Sequence, residues 1–324
     1  MNIAFRIDIS ETIGTGHYVR MRALADVFSE MGHRCAFFEG KDEPINFSGY
    51  DVVILDTYEV SNEYIASLNA HGRLVVCFDD NSLYTYNCDV VVNSNLYANE
   101  LNLMYGNKAP KFLLGGSYTI LRNEFRKSKP ITIRDRAKNV FICFGGTDLR
   151  NMTPLVIRAI KDIPKVCLHV ILGSHTRNDE EVLAFSDSGN IKIYKTPSSI
   201  LSIMRRCDIA ISAAGTMVYE YACIGMPSIL ITQADNQARI ADYMKRNNLM
   251  YYGGDWKDIN LHNLRFKVVS LLEDFRLREM MSQKLVESLD KQGVNNIAEI
   301  VMKTLGVFEQ RRRDDVCDGE PFTV

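Results

Sequence analysis

Short apolar runs rich in β-branched residues recur along this chain, and most are followed by a helical segment or a glycine-bearing loop. The runs occupy residues 3–7, 34–38, 51–56, 74–78 and 89–93, and then residues 139–144, 168–172, 191–194, 209–212 and 228–231. Runs that lack polar alternation are typical of parallel strands buried on both faces of a sheet. Strands that alternate with helices predict a doubly wound α/β fold. Two such series predict two Rossmann-like domains that face each other across a cleft.

A basic segment separates the two series. Residues 122–138 contain seven lysines and arginines against Glu124 and Asp135, with Pro130 in the middle. We interpret this segment as an interdomain linker with a solvated charged face, although it would also attract phosphate. The expected domains are therefore residues 1–121 and residues 139–308. The last helix is expected to pack back on the first domain, and residues 309–324 to form a frayed tail.

The loop after the first apolar run is the first candidate for chemistry. It reads Gly14, Thr15, Gly16, His17 and, three residues later, Arg20, and it opens into a helical pattern. Glycines let the backbone come close to a ligand, and a helix N-terminus directs backbone N–H groups at it. A histidine at that position can take a proton near neutral pH. A tight turn with a surface histidine is the alternative interpretation.

Acidic or amide residues end several of the apolar runs. They are Asp8, Asp56, Asp79 and Asn93. In open α/β sheets the ligand crevice lies beyond the carboxyl ends of the strands, so these residues are expected to border a site. Helix capping or turn formation explains each of them individually as well.

Two further strand–glycine–helix junctions lie in the second half of the chain. One contains Gly145, Gly146 and Thr147, and the other contains Gly215 and Thr216. Small residues at a helix N-terminus leave backbone N–H groups for a diphosphate. The pair of junctions therefore favours a nucleotide site in the second domain.

Three polar residues near these junctions are candidates for the rest of a nucleotide sugar. Glu220 stands about one helical turn beyond Thr216, where a carboxylate would hold ribose hydroxyls or simply complement the helix dipole. Asn236 and Gln237 follow Asp235 before another helix and offer amide groups to a sugar, or a cap to that helix.

The composition narrows the class of protein. Hydrophobic residues make up 46% of the 324 residues and charged residues 24%, as in globular proteins, and a net charge of −2 gives no reason to expect nucleic acid or an anionic membrane as partner. No apolar run approaches the roughly 20 residues that cross a bilayer, and the N-terminus lacks a secretory pattern. The eight cysteines are scattered, and neither they nor the histidines show metal-ligand spacing. We therefore expect a cytoplasmic protein with buried thiols, no metal and no cofactor.

These motifs resemble the UDP-sugar hydrolases of pseudaminic acid biosynthesis, which remove UDP from UDP-2,4-diacetamido-2,4,6-trideoxy-β-L-altropyranose. The second-half junctions are also similar to those of the wider GT-B glycosyltransferases, including the MurG-like and the spore-coat SpsG-like groups. The resemblance covers roughly residues 1–305, and it lies in residues 5–8, 13–20, 56–58, 79–80, 113–116, 118–125, 144–148, 212–216 and 235–237.

The resemblance implies a GT-B fold in which the second domain holds UDP and the sugar faces the first. It implies that His17 is the general base for a water that attacks the anomeric carbon with inversion and breaks the C–O bond. It adds Tyr58 and Asp80 to the substrate-binding residues. The turn at residues 214–217 differs from the family's glycine- and serine-rich turn, which leaves the sugar's identity and substituents open.

Three other interpretations remain open. A GT-B glycosyltransferase would use the same UDP-sugar and base with an acceptor hydroxyl in place of water. An NAD-dependent enzyme would use Gly14 and Gly16 with Glu39, but Val19 stands where that fingerprint has its third glycine. A non-catalytic nucleotide-sugar binder would have no need of His17.

Overall fold

The computed structural model describes residues 1–7, 16–39, 45–57, 60–70, 73–80, 85–105, 109–173, 176 and 179–317. Contacts within the chain divide it into two compact units. The first comprises Met1–Arg122 and Asp290–Val324, and the second comprises Asn123–Leu289.

The first unit is built on one parallel sheet. Its strands and helices before the unit boundary are β1 (Asn2–Ile7), α1 (Gly16–Glu30), β2 (Arg34–Glu39), β3 (Val52–Asp56), α2 (Asn62–Ala70), β4 (Leu74–Phe78), β5 (Thr85–Tyr86), β6 (Val90–Asn93), β7 (Met104–Tyr105) and β8 (Lys111–Leu114). Six of these strands pair in the order β2-β1-β3-β4-β6-β8, and β5 pairs with β7 separately. The order reverses between β1 and β3, which makes that position the topological switch point of the sheet.

The second unit repeats this architecture. Its strands and helices are α3 (Asn123–Arg126), β9 (Asn139–Cys143), α4 (Met152–Ile160), β10 (Cys167–Leu172), α5 (Asp179–Leu183), β11 (Ile191–Lys195), α6 (Ile200–Met204), β12 (Ile209–Ala213), α7 (Met217–Ile224), β13 (Ser228–Thr232), α8 (Ala238–Arg246), β14 (Tyr251–Asp255), α9 (Leu261–Glu273) and α10 (Phe275–Glu287). The parallel sheet has the order β11-β10-β9-β12-β13-β14. This is the strand order of dinucleotide-binding Rossmann domains, with its switch point between β9 and β12. The predicted doubly wound fold is confirmed in both units.

Both sheets are covered by helices on both faces, which explains the apolar runs. In β1, for example, Ile3 and Phe5 face a core shared with α1, whereas Ala4 between them faces a core shared with α2. All three side chains are fully buried. A strand buried on both faces gains apolar contact at every residue, so it needs no polar alternation.

The last helix, α11 (Gly293–Cys317), belongs to the first unit and packs against α1 through Val294 and Ile297. Its first residue lies so close to the backbone of Thr119 that a Cβ atom at Gly293 would stand 2.3 Å from the Thr119 carbonyl oxygen. The helix continues to Cys317, so residues 309–317, for which the sequence predicts a tail, are helical.

The basic segment is held by the second unit from Asn123 onward. Ile131 N donates to the carbonyl of Ile224 over 2.8 Å, and Arg134 Nη1 donates to Asp208 Oδ1 over 2.6 Å. The guanidinium of Arg278, a residue with no exposed surface, donates to the Arg134 carbonyl over 2.7 Å. The described helices include none with the length and apolar character that a membrane crossing requires.

Candidate active site

Two side chains meet at the switch point of the first sheet. His17 lies in the first turn of α1, the helix that follows β1, and Asp56 is the last residue of β3. Because β1 and β3 are neighbours in the sheet, their carboxyl ends lie side by side. His17 Nδ1 is 2.6 Å from Asp56 Oδ1, and the two residues are only 7% and 1% exposed. The fold therefore buries a histidine–carboxylate pair where α/β sheets bind ligands.

Arg20 holds the same carboxylate from the other side. It lies one helical turn after His17 and therefore on the same face of α1. Its Nε donates to Asp56 Oδ2 over 2.6 Å, and its Nη2 donates to Asp56 Oδ1. Such a bidentate pair fixes the plane of the carboxylate. The third nitrogen, Nη1, donates to Asp80 Oδ2 over 2.8 Å. Arg20 is thus bonded to two protein carboxylates.

The charge on Asp56 decides the tautomer of His17. Burial alone would raise the pKa of the Asp56 carboxyl, but the charges of Arg20 and His17 and their hydrogen bonds outweigh it and lower that pKa to about 2. An ionised carboxylate can only accept a hydrogen bond, so the proton in the 2.6 Å contact belongs to His17 Nδ1. The Arg20 Nη2 atom 3.3 Å from Nδ1 is a second donor and does not bond to it. In the neutral ring the lone pair is therefore on Nε2.

This depressed pKa predicts a contribution to stability that depends on pH. A carboxyl with an ordinary pKa of 3.8 and a folded-state pKa of about 2 stabilises the folded chain by roughly 2 kcal/mol above pH 4. The contribution falls away between pH 4 and pH 2, because over that range the carboxyl is protonated in the unfolded chain but still ionised in the folded one. Urea unfolding of the wild type and of Asp56→Asn between pH 5 and 2 measures it. The wild type should show the steeper loss on acidification, and equal slopes would contradict the assignment.

Asp80, which follows β4, continues the hydrogen-bond network toward β6. Its Oδ1 accepts from Asn95 Nδ2 over 2.8 Å, and Asn95 in turn donates from Nδ2 and from its backbone N to Asn93 Oδ1 over 2.8 and 3.1 Å. Asn93 ends an apolar run and was expected to border the site, but no sequence signal marks Asn95. The hydrogen bonds thus run across the carboxyl ends of β3, β4 and β6.

Several predicted residues in this region are not part of the described structure. Asp8, Gly14, Thr15 and Tyr58 lie outside the described residues, and Gly16 is the first residue of α1. In the described part of the chain, no cluster of three histidine, cysteine or acidic side chains is placed to hold a metal ion.

The two junctions of the second unit lie side by side at its own switch point. Ser212 of β12 donates from Oγ to the Cys143 carbonyl of β9 over 2.7 Å, which ties the two strands together at this edge. The loop with Gly146 and Thr147 follows β9, and the loop with Gly215 and Thr216 follows β12. The strand order therefore brings together two loops that are about 70 residues apart in the sequence, as a ligand site at the switch point requires.

The first of these junctions does not present a free helix N-terminus. Asp148 accepts from the backbone N–H groups of Met152 and Thr153 with its two carboxylate oxygens, both over 2.9 Å. The start of α4 is therefore capped by a carboxylate. The loop before it is packed tightly, since a Cβ atom at Gly173 would stand 2.4 Å from the Gly146 carbonyl oxygen. This close packing leaves room only for a glycine at position 173, directly after β10. The sequence pattern did not reveal that restriction.

The second junction differs from the first. Thr216 is the N-cap residue of α7 and makes no side-chain capping bond, and the backbone N–H groups of Val218 and Tyr219 donate to the carbonyls of Gly215 and Thr216 over 3.1 and 3.2 Å. Glu220 lies in the first turns of α7 and is 8% exposed. The first turn of α7 is therefore closed by backbone hydrogen bonds, whereas the start of α4 is capped by the Asp148 carboxylate.

The loop after β13 is held by its own amides. Gln237 Oε1 accepts from the backbone N of Gln233 over 2.9 Å, and Gln233 Nε2 donates to Asp148 Oδ1 over 3.2 Å. Asn236 is exposed and caps no helix, because Gln237 is the N-cap residue of α8 and has no side-chain capping bond. Gln233, which the sequence did not single out, therefore connects this loop to the β9 loop.

A profile of the DUF354 family, described as a protein of unknown function, matches residues 119–297, which is more than half of the chain. Among individual proteins, the UDP-2,4-diacetamido-2,4,6-trideoxy-beta-L-altropyranose hydrolase of Campylobacter jejuni is 25% identical over 273 residues, covering 76% of this chain and 97% of that protein. The spore coat polysaccharide biosynthesis protein SpsG of Bacillus subtilis is 21% identical over 275 residues, covering 74% and 80%. An uncharacterized protein of Methanocaldococcus jannaschii is 26% identical over 284 residues, which are 76% of this chain but only 59% of that protein.

Solved structures identify the fold. MurG of Acinetobacter baumannii superimposes with a TM-score of 0.63 at 12% identity, covering 94% of this chain and 100% of that chain. The calicheamicin glycosyltransferase CalG4 gives the same TM-score and identity and covers 94% and 98%. The chain therefore has the GT-B fold of two Rossmann-like domains, as the resemblance implied.

Proposed function

We propose that this chain, which belongs to the DUF354 family of proteins of unknown function, is an inverting hydrolase of a UDP-linked sugar. The observation that carries the proposal is the buried His17–Asp56 pair at the switch point of the first sheet, 2.6 Å apart. A histidine oriented by an ionised carboxylate is an arrangement that takes a proton from an attacking hydroxyl or water. The relative from C. jejuni, whose name states a UDP-sugar hydrolase, is matched over 97% of its length.

In the proposed reaction, His17 Nε2 accepts a proton from a water molecule while the water oxygen forms a bond to the anomeric carbon. The bond between that carbon and the phosphate oxygen of UDP breaks, and its electron pair leaves with UDP. Asp56 stays ionised and stabilises the imidazolium that forms. The products are UDP and the free sugar with inverted anomeric configuration.

The second unit supplies the nucleotide contacts in this proposal. The start of α7, with Gly215 and Thr216, takes the diphosphate and stabilises its charge as it departs. Glu220 binds the ribose hydroxyls. Because α4 is capped by Asp148, the loop of Gly146 and Thr147 contributes backbone contacts rather than a helix dipole. Asn236 and Gln237 bind the sugar.

We propose UDP-2,4-diacetamido-2,4,6-trideoxy-β-L-altropyranose or a related UDP-diacetamido-trideoxyhexose as the substrate, which would place the enzyme in nonulosonic acid biosynthesis. In this proposal Tyr58 contributes a sugar contact from the first unit. The alternative is a GT-B glycosyltransferase, which the shared fold with CalG4 supports. In that case His17 deprotonates an acceptor hydroxyl instead of water.

The test is UDP release from the proposed substrate in buffer without any acceptor, run in water enriched in ¹⁸O. We expect UDP and free sugar, with the label on the anomeric oxygen and none in UDP. Release only after an acceptor is added would replace the hydrolase by the transferase. Label in UDP would show cleavage of the P–O bond and would exclude attack at carbon.

A further inference from the structure

Arg20 was expected among the residues that bind substrate, but its hydrogen bonds point elsewhere. Its three nitrogens donate to both oxygens of Asp56 and to Asp80. The residue is 9% exposed, and its guanidinium carbon lies 5.7 Å from the centre of the Phe78 ring. A guanidinium committed to two carboxylates and packed on an aromatic ring is fixed in place.

We propose that Arg20 is a positioning residue that offsets the charge of the Asp56 carboxylate beside His17, and that it does not contact the sugar. An ionised carboxylate 2.6 Å from an imidazole favours the imidazolium form, which cannot act as a base. The Arg20 guanidinium is bonded to the same carboxylate, so its positive charge partly offsets the negative charge of Asp56 next to His17. Asp80 and Asn95 hold the guanidinium in that place.

The charged groups near His17 support a local balance. Asp56 at the end of β3, Arg20 on α1 itself and Asp80 after β4 are bonded in one chain. Among the described side chains of the elements packed against α1, the other charged groups are exposed or stack elsewhere: Arg34 and Glu39 of β2 and Glu299 and Lys303 of α11 are exposed, and Arg6 of β1 lies over the Tyr64 ring of α2.

The inference rests on the proposed function for its kinetic consequence, but the first measurement needs no activity. Long-range ¹⁵N–¹H NMR spectra of the histidine rings report protonation and tautomer in the free protein, and His17→Asn identifies the His17 signal among six histidines. In Arg20→Gln we expect the midpoint of the His17 titration to move upward by about one pH unit, a roughly tenfold gain in proton affinity. The matched control is Arg22→Gln, since Arg22 is exposed on the same helix and pairs with Asp26.

The second measurement is the pH profile of kcat/KM. The acidic limb of Arg20→Gln should move upward with the NMR midpoint, so that the loss at pH 6 exceeds the loss at pH 9 by about tenfold. KM should stay at the wild-type value. Arg20→Lys keeps the positive charge without the two-pronged geometry, and it should leave the limb in place while lowering kcat.

Every other result contradicts either the role of Arg20 or the proposed hydrolase function. An unmoved midpoint in Arg20→Gln, or an equal loss at every pH, would overturn the charge-sharing role. A raised KM with an unmoved limb would return Arg20 to the substrate contacts. If the wild type releases no UDP but the midpoint moves, the hydrolase proposal fails while the role of Arg20 stands. If Arg20→Gln does not fold, Arg20→Lys decides, because a limb displaced despite the retained charge contradicts the inference.

Discussion

Replacement of His17 by asparagine is expected to lower kcat for UDP release by about 10²–10⁴-fold, the usual contribution of a positioned general base. Asparagine places an amide N–H near the position of Nδ1, so the bond to Asp56 can persist, but it has no proton acceptor at the position of Nε2. UDP binding should be unchanged, because the proposed diphosphate and ribose contacts belong to the second unit.

The measurement compares single-turnover UDP release with UDP affinity from calorimetry. His262→Gln is the matched control, since His262 is exposed at the start of α9. It should keep wild-type rates. Turnover of His17→Asn within a few-fold of wild type would remove His17 from the mechanism, and a parallel loss of UDP binding would point to misfolding instead.

Replacement of Asp56 by asparagine is expected to cost a similar factor in kcat for a different reason. The amide removes the charge that keeps the proton on Nδ1, and its NH₂ group can donate to that nitrogen. The proton then moves to Nε2, and the base faces the water in the wrong tautomer. KM should change little, because Asp56 is 1% exposed and is bonded to His17 and Arg20.

The same variant should also lose stability. Arg20 keeps Asp80 but loses its buried counter-charge, and breaking a buried pair typically destabilises a protein by about 3–5 kcal/mol. Asp89→Asn is the control for a buried carboxylate in the same sheet. Asp89 is 8% exposed and accepts from Val75 N over 2.8 Å at the amino-terminal ends of the strands. It should lower the unfolding free energy without lowering kcat. A normal kcat in Asp56→Asn would show that the pair does not set the tautomer.

The apolar runs predicted the central strands of both sheets, since a strand buried on both faces must be apolar at every residue. Two outer strands were not predicted. β8 is only four residues long and begins at Lys111, and β14 contains Gly253 and Gly254. Glycine disfavours a strand, but a Cβ atom at Gly253 would stand 2.9 Å from Ile231 Cγ1, at the place where the register between β13 and β14 shifts.

The sequence singled out candidate site residues, but it did not predict which of them contact each other. His17 and Asp56 were singled out separately, one from its place at a helix start and one from its place at a strand end. Their pairing was not predicted, and neither was the commitment of Arg20 to two carboxylates. At the second switch point, the sequence treated both helix starts as equivalent, whereas Asp148 caps only α4.

The sequence by itself determined the alternation of strands and helices, the division into two series and the residue types at the strand ends. These follow from local patterns, because burial and helix or strand periodicity act over a few residues. The tertiary structure alone decided the strand order, and with it the meeting of β1 with β3 and of β9 with β12. That order depends on where each helical crossover returns the chain, so the partners of His17 and of the glycine loops are set by contacts distant in sequence.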